Sequence, residues 1–387
     1  MYKILTLNNI RAAGLERLPR ERYEVASEIQ HPDAVLLRSF TMHDWPVPTA
    51  LKAVGRAGAG VNNIPVSAMS ARGIPVFNTP GANANAVKEL VLVGMLMAAR
   101  NIGPAWDFAR ELHGTDKAIT EQVEAGKKGF VGVELPGRTL GVIGLGAIGV
   151  KVANAALALG MRVIGYDPHI TVNNAWQLSA EVQQVMSVGD VLAQAEFVSL
   201  HVPLLDETRH MLDTKRLATC RPGLTILNFS RAGIVDETAV SGAIKAQRVK
   251  AYVCDFPSNL LKNHDRVIAL PHLGASTEEA EENCAVMVAD QVREYLENGT
   301  IRNSVNFPEM VMPRNSGHRL SVVNANVPHM IERISTAIAN ANINILDMLN
   351  RSRGEIACTL VDAECPIPGG VVEAIQQIEG VLGVRAL

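Results

Sequence analysis

The glycine-rich stretch at residues 144–149 is the clearest candidate for chemistry in this sequence. It has the spacing G-x-G-x-x-G, directly after an apolar run that predicts a strand and at the start of a predicted helix. Glycines let the main chain approach a pyrophosphate, and a helix N-terminus offers unpaired N–H groups. The positions assigned to such a ligand are Gly144, Gly146, Ala147, Ile148 and Gly149.

The position of Asp167 refines this prediction to one cofactor. Asp167 follows the next predicted strand, 18 residues after Gly149. Its carboxylate would accept hydrogen bonds from a ribose 2′-hydroxyl and would repel a 2′-phosphate, so the pattern favours NAD over NADP. A glycine turn that only allows tight helix–strand packing is the alternative.

Two further residues have the chemistry needed to oxidise an alcohol by hydride transfer, which requires a proton acceptor and a cation. His272 follows a predicted apolar strand, and histidine is the usual base near neutral pH. Arg231 follows another predicted strand, where a guanidinium can bind a carboxylate through two hydrogen bonds. Ligands bind at strand carboxyl ends in open α/β sheets. From spacing alone, a hydrogen-bonded loop histidine is an equally open interpretation of His272, and a surface ion pair is the favoured one for Arg231.

The elements that must position these residues predict an α/β protein, because strands alternate with helical segments along most of the chain. Residues 86–100 predict a long, mostly buried helix, and residues 107–137 read as polar and irregular. Residues 318–387 predict the order strand, helix, strand, strand, helix, strand, which is that of a ferredoxin-like unit. The predicted domains are 1–87 together with 276–306, a doubly wound Rossmann domain at 88–275, a linker at 307–317, and a C-terminal domain at 318–387.

Composition excludes several classes of protein. The 387 residues are 48% hydrophobic and 19% charged, which is typical of a globular chain. A net charge of -3 and an aromatic content of 4% argue against nucleic-acid binding. The longest apolar run, 90–99, is too short to cross a membrane, and no secretory segment opens the chain, so we expect a cytoplasmic protein. The five cysteines lack metal-ligand spacing, and we predict neither a metal site nor a disulfide.

The order of motifs resembles the D-2-hydroxyacid dehydrogenases over nearly the whole chain. The matching segments are GRAGAGVNN at 55–63, NTPGAN at 78–83, GLGAIG at 144–149, YDP at 166–168, HVPL at 201–204, SRAGIVD at 230–236 and PHLGAST at 271–277. The resemblance implies an NAD-dependent oxidoreductase with a flavodoxin-like substrate domain. It is similar in particular to members that oxidise D-3-phosphoglycerate to 3-phosphohydroxypyruvate, the first step of phosphorylated L-serine biosynthesis.

The same resemblance implies roles for individual residues. His272 is the acid/base, and Arg231 holds the substrate carboxylate and carbonyl. The further cofactor positions are Pro203, Ser230 and Asp255, the last on the nicotinamide side. The substrate positions are Arg38, Ser39, Arg56, Gly58, Gly60 and, from a neighbouring subunit, Lys127. Lys127 and Lys128 are alternatively a solvated pair of charges.

One departure from the family concerns the histidine. Relatives usually place a glutamate shortly after the position of Asp255, whereas residues 256–260 contain no carboxylate here. Either Asp265, Glu278 or Glu279 takes that role, or the pH dependence of activity differs from that of relatives.

Residues 318–387 resemble the ACT domain, which often binds amino acids at a subunit interface. The resemblance implies L-serine as an effector, with Asn326 and Asn344 as its contacts, and a homodimer or homotetramer. His329 stands where relatives commonly have glycine, so a module used for oligomerisation is the alternative.

Two other functions compete with the leading one. A glyoxylate or hydroxypyruvate reductase, or another D-2-hydroxyacid dehydrogenase, would need no phosphate-binding arginines. An NAD-sensing, corepressor-like scaffold would bind the dinucleotide and a partner without turnover.

Overall fold

The computed structural model describes residues 1–314 and 317–387, which form two compact units. The first unit comprises Met1–Asn83 and Thr277–Leu387, and the second comprises Ala84–Ser276. Asn315 and Ser316, within the predicted linker 307–317, lie outside the described residues. That residues 318–387 fold as a separate domain stays a prediction.

A five-stranded parallel sheet forms the N-terminal part of the first unit. Its order, β2–β1–β3–β4–β5, is flavodoxin-like, as predicted. All four residues of the central β3 are buried, because helices cover both faces of a parallel sheet. The elements are β1 (Tyr2–Leu7), α1 (Ala12–Leu15), β2 (Tyr23–Ala26), β3 (Ala34–Leu37), β4 (Ala53–Arg56), α2 (Val66–Ala71) and β5 (Val76–Phe77).

The second unit is a doubly wound domain with a seven-stranded parallel sheet in the order β12–β11–β10–β9–β6–β7–β8, as predicted for a Rossmann domain. The helices are α3 (Ala84–Arg100), α4 (Ile102–Arg110), α5 (Asp116–Gly126), α6 (Ala147–Ala158), α7 (Val172–Gln177), α8 (Val188–Gln194), α9 (Thr214–Ala218) and α10 (Glu237–Lys245), with 3₁₀ turns at Lys127–Phe130 and Ala232–Ile234. The strands are β6 (Thr139–Ile143), β7 (Arg162–Tyr166), β8 (Gln183–Gln184), β9 (Phe197–Leu200), β10 (Leu224–Asn228), β11 (Val249–Cys254) and β12 (Val267–Ala269).

The prediction of an irregular segment at 107–137 is wrong, since α4 and α5 occupy much of it. Neither helix has a buried residue, so both lie at the surface of the unit, where a largely polar sequence is compatible with a helix. The start of α5 carries a local signal instead, because the Thr115 hydroxyl accepts a hydrogen bond from the N–H of Ala118.

A four-stranded antiparallel sheet in the order β14–β15–β13–β16 completes the first unit, with the predicted ferredoxin-like succession of elements. One face packs on α12 and α13, and the other contributes Val323 and Leu360 to the core around Tyr295 of α11. The elements are α11 (Glu278–Asn298), β13 (His318–Ala325), α12 (Met330–Ala339), β14 (Ile345–Arg353), β15 (Ile356–Ala363), α13 (Gly369–Gln376) and β16 (Val381–Ala386). None of the helices within the described residues is long and apolar enough to cross a membrane.

Candidate active site

The predicted cofactor and catalytic residues of the second unit lie along one edge of its sheet. The strand order changes direction between β6 and β9, which opens the crevice where ligands bind in such folds. Each of six strands is followed at its carboxyl end by predicted site residues: Gly144 after β6, Asp167 after β7, Pro203 after β9, Ser230 and Arg231 after β10, Asp255 after β11, and His272 after β12. The fold therefore gathers residues that are up to 128 positions apart along the chain.

The glycine loop has the open geometry that a dinucleotide requires. Gly144 has φ +91°, and a Cβ there would lie 2.5 Å from the carbonyl oxygen of His201. A Cβ at Gly149 would overlap the carbonyl oxygen of Gly144, whereas the space at the Cβ position of Gly146 is open. Helices α5, α7, α8, α9 and α10 are each capped by a Ser, Thr or Asp side chain, but α6 has no such cap. The first N–H groups of α6, at the exposed Ala147 and half-buried Ile148, therefore fit a pyrophosphate.

Asp167 is held against this loop by main-chain donors. Its Oδ2 accepts a hydrogen bond from the N–H of Leu145 at 2.8 Å, and its Oδ1 accepts one from the N–H of His169 at 2.8 Å. The side chain is half-buried, and each oxygen retains a second lone pair for a ribose hydroxyl. The loop and the acid together fit NAD.

Asp255 fixes the main chain around His272. It is 1% exposed, and its carboxylate accepts hydrogen bonds from the N–H groups of Leu273 and Gly274, each at 2.7 Å. Its carbonyl oxygen accepts a third, from the N–H of His272 at 3.1 Å. His272 itself has φ +55°, in the left-handed region. In this structure the Asp255 carboxylate orders the histidine loop, and its contact with the nicotinamide stays a prediction.

The imidazole of His272 is exposed and packs against an aromatic ring. The ring of Phe256 lies with its centroid 5.1 Å from that of His272, at an interplanar angle of 61°. All residues of the second unit are described, and none of its carboxylates forms a hydrogen bond with the His272 imidazole. Asp265, one of the three acids predicted as possible partners, therefore does not contact it. The other two acids considered, Glu278 and Glu279, belong to the first unit, at the start of α11.

Arg231 is exposed at the end of β10, and its Nη1 donates a hydrogen bond to the carbonyl oxygen of Ser230 at 2.7 Å. Arg231 forms no ion pair with another residue of its unit, so the surface ion pair that was the alternative role for this arginine is not found there. Ser230 is anchored in turn, because its hydroxyl donates to the carbonyl oxygen of Leu200 at 2.7 Å. The remaining N–H groups of this guanidinium are thus suited to an anionic ligand.

His201 is a histidine of this edge to which sequence reasoning gave no role of its own. Its Nε2 lies 2.8 Å from the hydroxyl of Ser199, while Nδ1 is buried without a hydrogen-bond partner among the described residues. Burial lowers the pKa of His201 to about 3, so the ring is neutral at physiological pH.

The predicted substrate arginines belong to the first unit and follow two neighbouring strands. Arg38 comes directly after β3, and Arg56 ends β4, with the two strands paired in parallel. The Nε of Arg56 donates a hydrogen bond to the carbonyl oxygen of Arg38 at 3.0 Å. A Cβ at Gly58 would lie 2.5 Å from Nη1 of Arg56, so the glycine leaves room for this guanidinium. The fold therefore brings the two predicted substrate arginines together.

The remaining predicted substrate positions differ in setting. Ser39 is exposed, and its N–H donates to the side-chain oxygen of Asn8 at 3.1 Å. Gly60 is half-buried in the loop after β4. Lys127 belongs to the second unit, where its exposed ammonium pairs with Glu124 at 2.5 Å. This ion pair was not predicted, and the role of Lys127 at a neighbouring subunit's site stays a prediction.

The two predicted regulatory asparagines are both exposed in the four-stranded module. The side chain of Asn326 donates to the carbonyl oxygen of Gly354 at 3.0 Å, and the N–H of Asn344 donates to the carboxylate of Glu364 at 3.3 Å. His329 has φ +68°, so this position has the left-handed conformation that favours glycine. Their roles in binding stay predictions.

Sequence reasoning missed two charged residues next to the substrate arginines. Glu281 accepts hydrogen bonds from Arg38 at 2.6 Å and from Arg11 at 2.8 Å. The pair Arg38 and Glu281 is separated by 243 positions. No local pattern could have found it.

Comparison with known proteins agrees with this geometry. Residues 97–274 match the family model for the NAD-binding domain of D-isomer specific 2-hydroxyacid dehydrogenases. The D-3-phosphoglycerate dehydrogenase of Methanocaldococcus jannaschii is 38% identical over 296 residues, which cover 74% of this chain and 54% of that protein. The D-3-phosphoglycerate dehydrogenase of Haemophilus influenzae is 32% identical over 349 residues, which cover 87% of this chain and 81% of that protein.

A solved structure, the NAD+-bound 3-phosphoglycerate dehydrogenase of Entamoeba histolytica, superposes with a TM-score of 0.62 at 26% identity, covering 79% of this chain and 98% of that one. Against several longer curated relatives, the chain spans only 54–58% of their length. The Haemophilus protein, in contrast, is matched over most of both chains. From that extended similarity and the matched NAD-binding domain, we conclude that this chain belongs to the D-isomer specific 2-hydroxyacid dehydrogenase family.

Proposed function

We propose that this protein oxidises D-3-phosphoglycerate to 3-phosphohydroxypyruvate with NAD+, the first step of phosphorylated L-serine biosynthesis. The observation that carries the proposal is the group of arginines in the first unit, where Arg56 contacts Arg38, and Glu281 links Arg38 to Arg11. Such a concentration of guanidinium groups suits a substrate with both a carboxylate and a phosphate. Curated relatives with the name D-3-phosphoglycerate dehydrogenase support the same substrate.

In this proposal the chain's own residues handle the proton and the charges. His272 accepts the proton of the substrate 2-hydroxyl, and its exposed ring at a strand end suits that role. Arg231 binds the substrate carboxylate and the oxygen that becomes the carbonyl. The hydride leaves C2 as the C2–O bond becomes double, and bound NAD+ supplies its acceptor. The N–H groups of Leu273 and Gly274 donate hydrogen bonds to the Asp255 carboxylate, and these bonds keep the histidine loop in place during the transfer.

The decisive experiment measures NADH formation from D-3-phosphoglycerate by the wild-type chain and by His272→Ala. We expect turnover by the wild type and a loss of about 10²-fold or more in the variant, which is the usual contribution of a general base. His113→Ala, an exposed histidine of the same unit, is the control and should retain activity. Equal activity of His272→Ala and wild type would show that another residue is the base.

The same assay separates the two competing functions. A glyoxylate or hydroxypyruvate reductase would prefer substrates without phosphate and would be insensitive to Arg56→Ala. A corepressor-like scaffold would turn over none of these acids, yet would lose a partner complex on Gly146→Asp, which fills the open space in the cofactor loop.

We further propose a homodimer or homotetramer built through the second unit. Large apolar side chains are exposed on α3, on α4 and next to the 3₁₀ turn at Lys127–Phe130. Their exposed fractions range from 43% for Leu96 to 78% for Val131. Burial of such surface is a common driving force for association. Sedimentation of the wild type should give a dimer or tetramer, and Leu96→Glu should weaken it. A wild type that sediments as a monomer contradicts the proposal.

Two further parts of the proposal concern regulation and location. The two roles predicted for the C-terminal module, L-serine binding and oligomerisation, are distinguished by calorimetric titration of L-serine into the full chain. Saturable heat that disappears in Asn344→Ala supports an effector site, and its absence supports oligomerisation. A cytoplasmic location is also proposed, and the five free cysteines support it because thiols stay reduced there.

A further inference from the structure

The carboxylate of Glu281 bridges two arginines of the first unit. Its Oε1 accepts a hydrogen bond from Nη1 of Arg38 at 2.6 Å, and its Oε2 accepts one from Nε of Arg11 at 2.8 Å. Arg11 precedes α1, Arg38 follows β3, and Glu281 lies in the first turn of α11. Three separate elements thus meet at one carboxylate, which is only 22% exposed.

Glu281 is charged under working conditions. Partial burial would raise the pKa of this carboxyl, but the hydrogen bonds and charges of Arg38 and Arg11 outweigh burial and hold the pKa below its usual value. The helix N-terminus, capped by the Thr277 hydroxyl, also favours a negative charge there. Both bonds are therefore charge-assisted, which makes them short and directional.

The bridge orients Arg38 rather than saturating it. Of the three guanidinium nitrogens, only Nη1 is engaged by Glu281, and neither Nε nor Nη2 forms a hydrogen bond with a described residue. These two nitrogens form one edge of the planar group, the edge that can donate two parallel hydrogen bonds to a carboxylate or phosphate. The main chain is also fixed, because the carbonyl oxygen of Arg38 accepts from Arg56 and from Asn63.

We propose that Glu281 is a positioning residue for anion recognition: braced by Arg11, it holds one side of the Arg38 guanidinium so that the opposite edge meets the anionic group of the substrate. This inference rests on the proposed function, in which Arg38 binds substrate. Without Glu281, the Arg38 side chain would sample several rotamers. Restricting it to the one that binds substrate would cost conformational entropy, and the affinity for substrate would fall. The effect belongs to substrate binding, whereas the hydride step depends on residues of the second unit.

The test compares Glu281→Ala and Glu281→Gln in the full chain by steady-state kinetics. Ala removes the acceptor, and we expect the KM for D-3-phosphoglycerate to rise about tenfold, the lower end of the effect of one hydrogen bond to a charged group. We expect kcat and the KM for NAD+ to stay within about twofold. Gln retains an oxygen that accepts from Arg38 but turns its NH₂ group toward Nε of Arg11, so its KM should lie between those of the wild type and of Glu281→Ala.

Glu282→Ala is the matched control, because it removes the same charge from the next residue of the same helix, and Glu282 forms no ion pair among the described residues. Its KM should not change. In an Arg38→Ala background, Glu281→Ala should add no further rise in KM, since its effect acts through Arg38.

Three outcomes overturn the proposal. A lower KM in Glu281→Ala would mean that the carboxylate competes with substrate for Arg38. An unchanged KM would mean that Arg38 is positioned without it. Equal KM changes in all three single variants, following a loss of thermal stability, would reduce Glu281 to a structural residue. Failure of the proposed function is a separate result, because then the wild type itself does not turn over D-3-phosphoglycerate.

Discussion

Replacing Asp362 by asparagine tests how the buried ion pair of the C-terminal module supports the first unit. Arg319 of β13 and Asp362 of β15 face each other in register, and their side chains are 0% and 1% exposed. Nε of Arg319 donates to Oδ1 at 2.6 Å and Nη2 donates to Oδ2 at 2.8 Å. The other three N–H groups donate to the carbonyl oxygens of Asn298, Met312 and Pro313. The pair thus joins the sheet to the end of α11 and the segment after it.

The expected loss of stability follows from these contacts. Two hydrogen bonds to a charged partner contribute about 1.5–3 kcal/mol each, and a buried ion pair broken on one side costs about 3–5 kcal/mol. Asp362→Asn also turns an NH₂ group toward the guanidinium, so donor meets donor. We therefore expect the free energy of opening of β13 and β15 to fall by about 3–5 kcal/mol, which is a loss of about two to three and a half decades of protection.

Native-state hydrogen exchange of the full chain, read on peptides from β13 and β15, measures this directly. Glu332→Gln is the control, because its pair with His329 is exposed by 71% and 70% and should change protection by less than about 1 kcal/mol. A double change, Arg319→Met with Asp362→Leu, should recover part of the loss, since no unpaired charge stays buried but three carbonyl oxygens lose their donor. The reasoning is refuted if Asp362→Asn lowers protection by less than tenfold or no more than Glu332→Gln.

Three further predictions concern histidines and thiols. With the pKa of His201 lowered to about 3 by burial, the unfolded chain gains a proton below about pH 6.5 that the folded chain does not. Stability should therefore fall as the pH drops from 6.5 towards 3, and His201→Asn should flatten that slope in acid-unfolding curves. Burial raises the pKa of the Cys358 thiol to about 12, so a thiol-specific disulfide reagent at mildly alkaline pH should label the partly exposed Cys365 first, and Cys365→Ser should abolish the fast phase. His329→Gly should raise the midpoint of thermal unfolding, by about 1 kcal/mol of stability, because φ is +68° there; a lower midpoint would mean that the pair with Glu332 outweighs the backbone strain.

Local patterns were enough for the central strands of the sheets and for the cofactor loop. The apolar run of β3, the glycine spacing at 144–149 and the acid at Asp167 each depend on neighbours within a few residues or one βαβ unit. The order of elements at 318–387 likewise indicates a ferredoxin-like unit before any contact is known. These features are encoded by periodicity and turn chemistry, which act over short stretches of chain.

Other features depend on which distant segments meet. Asp255 became the acceptor of the His272 loop only because β11 and β12 are adjacent in the sheet. Glu281 reaches Arg38, 243 positions away, only because α11 packs on the N-terminal sheet. Such partners are selected by packing, which minimises buried unpaired charge over the whole fold, and no local pattern carries that information. The sequence therefore indicates which groups can do the chemistry, and tertiary structure decides which of them are held ready for it.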